Sequence, residues 1–310
     1  MDSFQKAYSV INNPKYKKIM CSLSGGKDST VMLHLLQAVD IDHKIDYVWF
    51  DTSLEYQCMK DHLRYLEQRY GITIKPYKAK KPIPWTCKNV GQPFLSKRVS
   101  NEIARLQRYG FKWEDKSYEE HLKEYPKCKQ ALKWFDNQWE GGAKSSFNID
   151  RNKGLRAFLI ANPPWFKISD LCCQYAKKDV AHQCYKDGGY DLSCYGTRVL
   201  EGGVRATAYK TCFTEQTSKG TTEYRPLHWY SNDDIAEFER RFDIQQSECY
   251  GPDWGLKRTG CACCSYGRDF EYELELAEKY DPKLYIAANN IFKDAYEYTR
   301  MYRAFVKNMM

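Results

Sequence analysis

Long apolar runs are missing from this sequence. No stretch of about 18 consecutive apolar residues occurs in its 310 positions, which excludes a membrane-spanning helix by length. The opening Met-Asp-Ser-Phe-Gln-Lys lacks the apolar core of a secretory signal, so a cytoplasmic protein with no membrane partner is expected. No internal repeat or low-complexity segment is visible. Hydrophobic residues at 43% and charged residues at 28% lie close to globular averages, which excludes wholesale disorder. The length excludes a disulfide-stapled miniprotein and allows one large α/β domain or two smaller ones. Cysteine, by contrast, is plentiful and odd in number, at 13. Thiols stay free in a reducing compartment, so these point to metal, an iron–sulfur cluster or catalysis before bridges.

The formal charge of +8 is unevenly spread. Residues 75–158 carry 19 Lys/Arg against 9 Asp/Glu, leaving 29 against 31 elsewhere. The same segment holds Trp85, Phe94, Tyr109, Phe111, Trp113, Trp134, Phe135, Trp139 and Phe147. Basic residues interleaved with aromatics are one footprint of nucleic-acid or polyphosphate binding, and a nucleic-acid acceptor held by residues 80–158 is one expectation. A solvated helical insertion whose aromatics form its own core is the other.

Along the chain, residues 1–13 read as a leading helix and Lys17–Leu23 as a strand stopped by Ser24-Gly25-Gly26. A helix from about Ser29, a strand at Tyr47–Phe50, a helix over Gln57–Tyr70 and a short strand at Ile72–Ile74 follow. This alternation predicts an α/β fold with a parallel twisted sheet and helices on both faces. Helical stretches near 97–109 and 117–138 break the pattern. Ile168–Lys178 then reads as helix, Tyr190–Gly196 as strand, Asn232–Phe242 as helix, and the tail from Phe270 as helical. The expected organisation is a nucleotide-binding half at 1–79, a basic helical insertion at 80–160, the second half at 161–270, and a helical tail at 271–310.

Ser24-Gly25-Gly26-Lys27-Asp28-Ser29 is the most informative stretch. Two glycines allow a tight turn with bare N–H groups, the following helix points its positive end at the same place, and Lys27 adds a mobile cation, so the loop suits phosphate. Neither the Walker spacing nor G-x-G-x-x-G is present. The loop resembles the pyrophosphatase loop of the adenine-nucleotide α-hydrolase superfamily. Asp51-Thr52-Ser53-Leu54-Glu55-Tyr56 is similar to the second-strand motif of its phosphoadenosine-phosphosulfate (PAPS) reductase family, and the mobile-element and DNA-phosphorothioation branch is the suspected one. The resemblance implies that Ser24, Gly25, Gly26, Lys27, Asp28 and Ser29 hold phosphates and that Asp51 lies near the nucleotide. Gly196-Thr197-Arg198 through Val204-Arg205 resembles the family's Gly-x-Arg-x-x-Glu-x-x-x-Arg stretch, implying that Arg198 and Arg205 line the substrate end, where guanidinium forks match phosphate or sulfate. Lys27, Asp28, Arg198 and Arg205 are the expected catalytic set.

Cys172-Cys173 are adjacent, and Cys261-Ala-Cys263-Cys264 contains a C-x2-C pair at Cys261 and Cys264. By spacing alone zinc and iron–sulfur are both open. The surrounding Ser169-Asp170-Leu171-Cys172-Cys173 and Arg258-Thr259-Gly260-Cys261-Ala262-Cys263-Cys264 resemble the motifs that ligate a [4Fe–4S] cluster in the adenylylsulfate-reducing branch. The resemblance implies Cys172, Cys173, Cys261 and Cys264 as ligands, with Cys263 the rival within its motif. The other cysteines read as small core residues.

The reductases carry a nucleophilic cysteine in a Glu-Cys-Gly motif near the C-terminus, whereas no cysteine follows Cys264 here and the nearest match is Glu248-Cys249-Tyr250-Gly251. Lys27 and Asp28 also preserve the loop form suited to ATP. The resemblance therefore implies an enzyme that uses ATP and Mg²⁺, acting at the α-phosphate in a sulfur-transfer reaction with a [4Fe–4S] cluster and a sulfur-donor protein. Reduction of a sulfonucleotide through Cys249 is the first alternative. A nucleotide-binding module of a larger defence or modification complex, with a structural cluster, is the second.

Overall fold

A computed structural model describes residues 3–201, 209–215 and 221–309. The chain divides into two compact units, one of Met1–Lys80 with Ala176–Cys261 and one of Lys81–Tyr175 with Ala262–Met310. These breaks at 80, 175 and 261 differ from the sequence-based divisions at 79, 160 and 270. Residues 161–175 and the helical tail belong with the basic segment because they share its apolar core, in which Tyr298 packs with Phe94 and Phe158.

The first unit is built on a six-stranded sheet: β1 (Ile19–Leu23), β2 (Ile45–Asp51), β3 (Ile74–Lys78), β4 (Leu192–Cys194), β5 (Phe213–Thr214) and β6 (Thr222–Tyr224). Their spatial order is β3-β2-β1-β4-β6-β5. All neighbours are parallel except β5 against β6, so the sheet is mixed but mostly parallel. Strand β1 is buried at four of five positions, as a central strand covered on both faces must be. Its residues alternate between two cores. Ile19, Cys21 and Leu23 join the helix Lys27–Gln37 and its Val31, Leu33, Leu35 and Leu36, whereas Met20 joins Val48, Cys184 and Tyr185 on the other face. Cys21 pairs in register with Tyr47 and with Cys194, so these two thiols serve as small residues between strands.

The helix Gln57–Tyr70 runs as its pattern predicts and is stopped by Gly71 in the left-handed region at φ 62°. The strand after it differs from expectation. Ile72 is drawn back by an amide bond to the Glu67 carbonyl and Ile74 by one to the Glu67 carboxylate, so pairing begins only at Ile74 and continues to Lys78. Pro76 fits there because β3 is the sheet edge. The hairpin of β5 and β6 is additional, anchored by Phe213 stacked on Tyr224 at 4.7 Å.

The second unit is helical. The expected helix over 117–138 is interrupted: Tyr118–Glu124 ends before Pro126, and Lys129–Phe135 follows a tight 3-10 turn. A Ser117–Glu120 capping box starts the first piece. The helix Lys97–Arg108 places Val99, Ile103 and Leu106 on one buried stripe and is capped by Ser96 accepting from the Val99 amide. Phe94, Phe111, Trp113, Trp134 and Phe135 are core, whereas Trp85, Tyr109 and Phe147 are exposed. Among the described residues no helix is long and apolar enough to cross a membrane.

Candidate functional site

The sheet order reverses between β1 and β4, and open α/β sheets form a crevice beyond the carboxyl ends of the strands at such a point. A cavity of about 890 Å³ lies here, entirely within the first unit. Its floor is the turn from β1 into the helix Lys27–Gln37. Gly25 takes φ +73°, and a Cβ there would meet Met59 at 3.2 Å, so glycine is required. Gly26 stands at the N-cap and has no side chain of its own to cap the helix. The turn is braced from within: Ser29 Oγ donates to the Gly26 carbonyl at 2.9 Å and lies 3.2 Å from Ser24 Oγ, which accepts the Gly26 amide at 3.3 Å. Beneath it, the Thr30 amide and hydroxyl reach the same carbonyl, and Thr30 Oγ1 meets His62 Nε2 at 3.0 Å.

Around this floor the cavity gathers Lys27, Lys177, Arg198, Lys257 and Arg258 against Asp28, Glu55 and Glu239. Asp28 and Arg198 meet as an ion pair at 3.0 Å, and Arg198 also donates to the Tyr230 carbonyl at 3.2 Å and to Asn232 at 3.1 Å. Gly196 lets the segment after β4 come this close. A Cβ at that position would lie 3.0 Å from the Asp28 carbonyl carbon and 3.1 Å from the Ser29 nitrogen. Tyr250 closes another side, with Lys27 Nζ 4.8 Å above its ring. Its hydroxyl receives the Lys27 backbone N–H and pairs with the Thr259 hydroxyl, and burial pushes its ionisation up to about 12. Apolar lining comes from Leu23, Trp49, Phe50, Met59 and Ile235.

Asp51 is not among the residues lining this cavity. Its carboxylate accepts the Ser53 amide at 2.8 Å and closes a turn in which Ser53 takes φ 63°. Glu55, four residues on, does line it. Glu55 Oε1 accepts the Thr52 amide and hydroxyl, Oε2 is buried without a hydrogen-bond partner among the described residues, and burial pushes the carboxyl up. Arg205 lies outside the described residues.

In the second unit, Cys172 and Cys173 form the short helix Leu171–Cys173. A hydrogen bond with Cys173, burial, and the nearby Cys173, Cys87 and Cys264 sulfurs push the Cys172 thiol up. Cys261 ends the first unit, three positions before Cys264 in sequence. Cys263 faces elsewhere: it is fully buried at φ 51°, its amide donates to the Glu273 carboxylate, and its thiol donates to the Glu273 carbonyl at 3.5 Å. The donor chemistry of Cys172, Cys173 and Cys264 is that of soft-metal and iron–sulfur sites. Among the described residues no three His, Cys, Asp or Glu side chains stand close enough together to hold a metal ion. Cys249, in the first unit, is buried beside Met59 and Ser247 and does not line the cavity. A hydrogen bond with Cys58 holds its thiol below the usual range.

The family model for the phosphoadenosine phosphosulfate reductase domain matches residues 18–267, most of the chain. The chain belongs to this family. Within the PAPS reductase domain family adenine-nucleotide binding is typical. A curated relative, an uncharacterized protein of Methanocaldococcus jannaschii, is 33% identical over 211 residues, covering 66% of this chain and 42% of the relative, so the match spans less than half of that protein. Among solved structures, a phosphoadenylyl-sulfate reductase from Candida auris in a phosphate complex is similar at 16% identity and TM-score 0.46, over 84% of this chain and 88% of that one. The U34-tRNA thiolase NcsA from Methanococcus maripaludis with its [4Fe-4S] cluster is similar at 12% identity and TM-score 0.39, over 98% and 78%. At such TM-scores these likenesses carry no argument about chemistry.

Within the PAPS reductase domain, the sequence motifs led to the loop, Lys27, Asp28 and Arg198, which the fold brings together. Glu55, Lys177, Glu239, Tyr250 and Lys257 were missed as cavity residues. Glu55 and Tyr250 sit inside motifs that were singled out for other residues, Asp51 and Cys249, and that adjacency is the signal that could have found them.

Proposed function

We propose that the chain binds ATP in the cavity of the first unit and acts at its α-phosphate, releasing pyrophosphate, in a sulfur-transfer or sulfur-modification reaction. The observation that carries this reading is the helix N-terminus whose N-cap, Gly26, has no side chain to cap it, placed at the end of β1 with Lys27 beside it in a cavity of net positive lining. The phosphates sit on the Ser24–Ser29 turn, where backbone N–H groups and the helix end oppose their charge without reorganisation. Lys27 follows the phosphates as a mobile cation. Arg198, held by Asp28, Tyr230 and Asn232, presents a fixed guanidinium at the rim, and Trp49, Phe50 and Met59 offer apolar surface to the adenine. Mg²⁺ bound to the nucleotide would neutralise charge developing on the departing pyrophosphate. Magnesium is commonly held by phosphate oxygens, water and one or two carboxylates, and Glu55 and Glu239 are the cavity-lining carboxylates besides Asp28, the ion-pair partner of Arg198.

Cys172, Cys173, Cys261 and Cys264 are the proposed ligands of a [4Fe–4S] cluster, whose chemistry when bound is to hold or deliver sulfur. Cys263 is the weaker candidate because its amide and thiol are both committed to Glu273. The acceptor is proposed to be a nucleic acid on the basic segment, and the sulfur donor a protein.

Pyrophosphate release from ATP, measured on anaerobically purified protein with candidate acceptors, tests the reading: release that falls at least a hundredfold in Lys27→Ala is expected. Sulfite release from a sulfonucleotide would instead establish the reductase, and tight ATP binding without turnover under every acceptor the nucleotide-binding module. Iron and sulfide analysis tests the cluster separately, with loss in Cys172→Ser expected and stoichiometric zinc as the refuting result.

A further inference from the structure

The helix Ile83–Asn89 buries Ile83, Thr86 and Cys87 and leaves Trp85 42% exposed on its outer face. A single exposed tryptophan is unremarkable in globular proteins. This one is not alone, since Lys81 Nζ stands 5.5 Å from the Trp85 ring and 4.6 Å from the Tyr175 ring, so two aromatic rings converge on one ammonium. The arrangement is built into the backbone: the Thr86 hydroxyl donates to the Lys81 carbonyl at 3.2 Å and the Thr86 amide to the Pro82 carbonyl at 2.9 Å, pinning the turn that carries Lys81 to the helix that carries Trp85. Lys88, three residues after Trp85, adds a second exposed cation on the same helix face. The platform also adjoins the thiols. Cys87 is two residues from Trp85 and within electrostatic reach of Cys172, Tyr175 is two residues past Cys173, and the helices Ile83–Asn89 and Leu171–Cys173 pack on each other.

We propose that Trp85, Tyr175 and Lys81 form a stacking subsite for an unpaired nucleobase, through which a single-stranded nucleic acid is presented beside the Cys172–Cys173 pair. A flat π-surface recognises any base; an incoming base takes the place of the Lys81 ammonium over the Trp85 ring, and Lys81 and Lys88 then engage the flanking phosphates, which is the chemistry of single-strand binding. The charge of the segment fits that occupant: residues 81–175 carry 17 Lys/Arg against 10 Asp/Glu. The inference rests on the proposed nucleic-acid acceptor but needs no turnover, so it stands or fails independently of pyrophosphate release.

The test is binding of the full chain, without ATP, to a fluorescent single-stranded homopolymer of about ten nucleotides, to the same length of duplex, and to inorganic polyphosphate. Single-strand binding that weakens about tenfold or more in Trp85→Ala, is retained within about threefold in Trp85→Phe, and loses about one unit of log–log salt slope in Lys81→Gln is the expected result. Equal affinity for polyphosphate or duplex, or a Trp85→Ala protein that binds as tightly as the parent, would overturn the stacking subsite. Because Trp85 is on the solvent face, its truncation leaves the core intact, and an unchanged melting temperature confirms that a weakened variant is folded.

Discussion

His62 should make the proposed phosphate-binding turn, Ser24–Ser29, sensitive to acid. It lies 6% exposed beneath the turn, with Thr30 Oγ1 at 3.0 Å from Nε2 and the Tyr65 ring stacked on it at 5.8 Å. Burial lowers its ionisation from the ordinary 6.5 to about 4. A histidine that is harder to protonate in the folded state adds stability above pH 6.5, and that stability is lost as pH falls from 6.5 towards 4. With these values the loss is about 2 kcal/mol at pH 5 and approaches about 3 kcal/mol below pH 4. Thr30 transmits the effect to the site, because it holds the Gly26 carbonyl through both its amide, at 3.0 Å, and its hydroxyl, at 3.2 Å. His62→Gln keeps an N–H donor for Thr30 while removing the titration. Urea unfolding of both proteins at pH 8, 6.5 and 5 isolates the histidine, since other titrating groups cancel in the comparison. The parent should lose about 2 kcal/mol more than His62→Gln between pH 8 and pH 5. Parallel pH profiles would refute the assignment of a buried neutral imidazole.

Two further substitutions examine the turn itself. Gly196→Ala should cost about 1–3 kcal/mol and weaken nucleotide binding together, because its Cβ would press on the Asp28 and Ser29 backbone, which cannot swing aside as a side chain can; an unchanged melting temperature and nucleotide Kd would show that the segment after β4 is looser than the structure has it. Tyr250→Phe should separate stability from affinity. Losing the hydroxyl's bonds to the Lys27 amide and Thr259 lowers stability by about 1 kcal/mol, yet releases that amide to a phosphate oxygen, so ATP affinity measured by calorimetry should rise, by up to about tenfold. A fall in affinity would mean that the hydroxyl itself binds the nucleotide.

What was legible in the sequence was local. Ser24-Gly25-Gly26-Lys27 is recognisable because the turn needs a glycine at φ +73° and a helix start whose own N-cap carries no side chain, both properties of adjacent residues. The helix Gln57–Tyr70 was readable to its last residue because Gly71 supplies the left-handed stop. The third strand was misplaced because its start is set by two bonds back to Glu67, seven and five residues earlier, and no alternation pattern records those. The hairpin of β5 and β6 is a few residues long, too short to show a period. Composition likewise could not sort the aromatics of the basic segment. Phe94, Phe111, Trp113, Trp134 and Phe135 are core and Trp85 is exposed, although all six lie among the same lysines and arginines.

The site shows the same division in its electrostatics. Lys27, Asp28 and Arg198 could each be picked out by motif, but a motif gives no account of which charges cancel. Asp28 and Arg198 are 23% and 11% exposed and 3.0 Å apart, so each spends much of its charge on the other. In that partly buried setting, breaking the pair would leave a charge with reduced hydration beside the loop, and the cost falls on the binding of an anion as well as on the fold. Besides that pair, Lys27, Lys177, Lys257 and Arg258 line the cavity with Glu55 and Glu239. That excess comes from three separate parts of the chain, since Lys257 and Arg258 are neighbours. It follows that the loop sequence points to the proposed anion site, while the size of the anion such a site can neutralise is decided by residues that only the fold assembles.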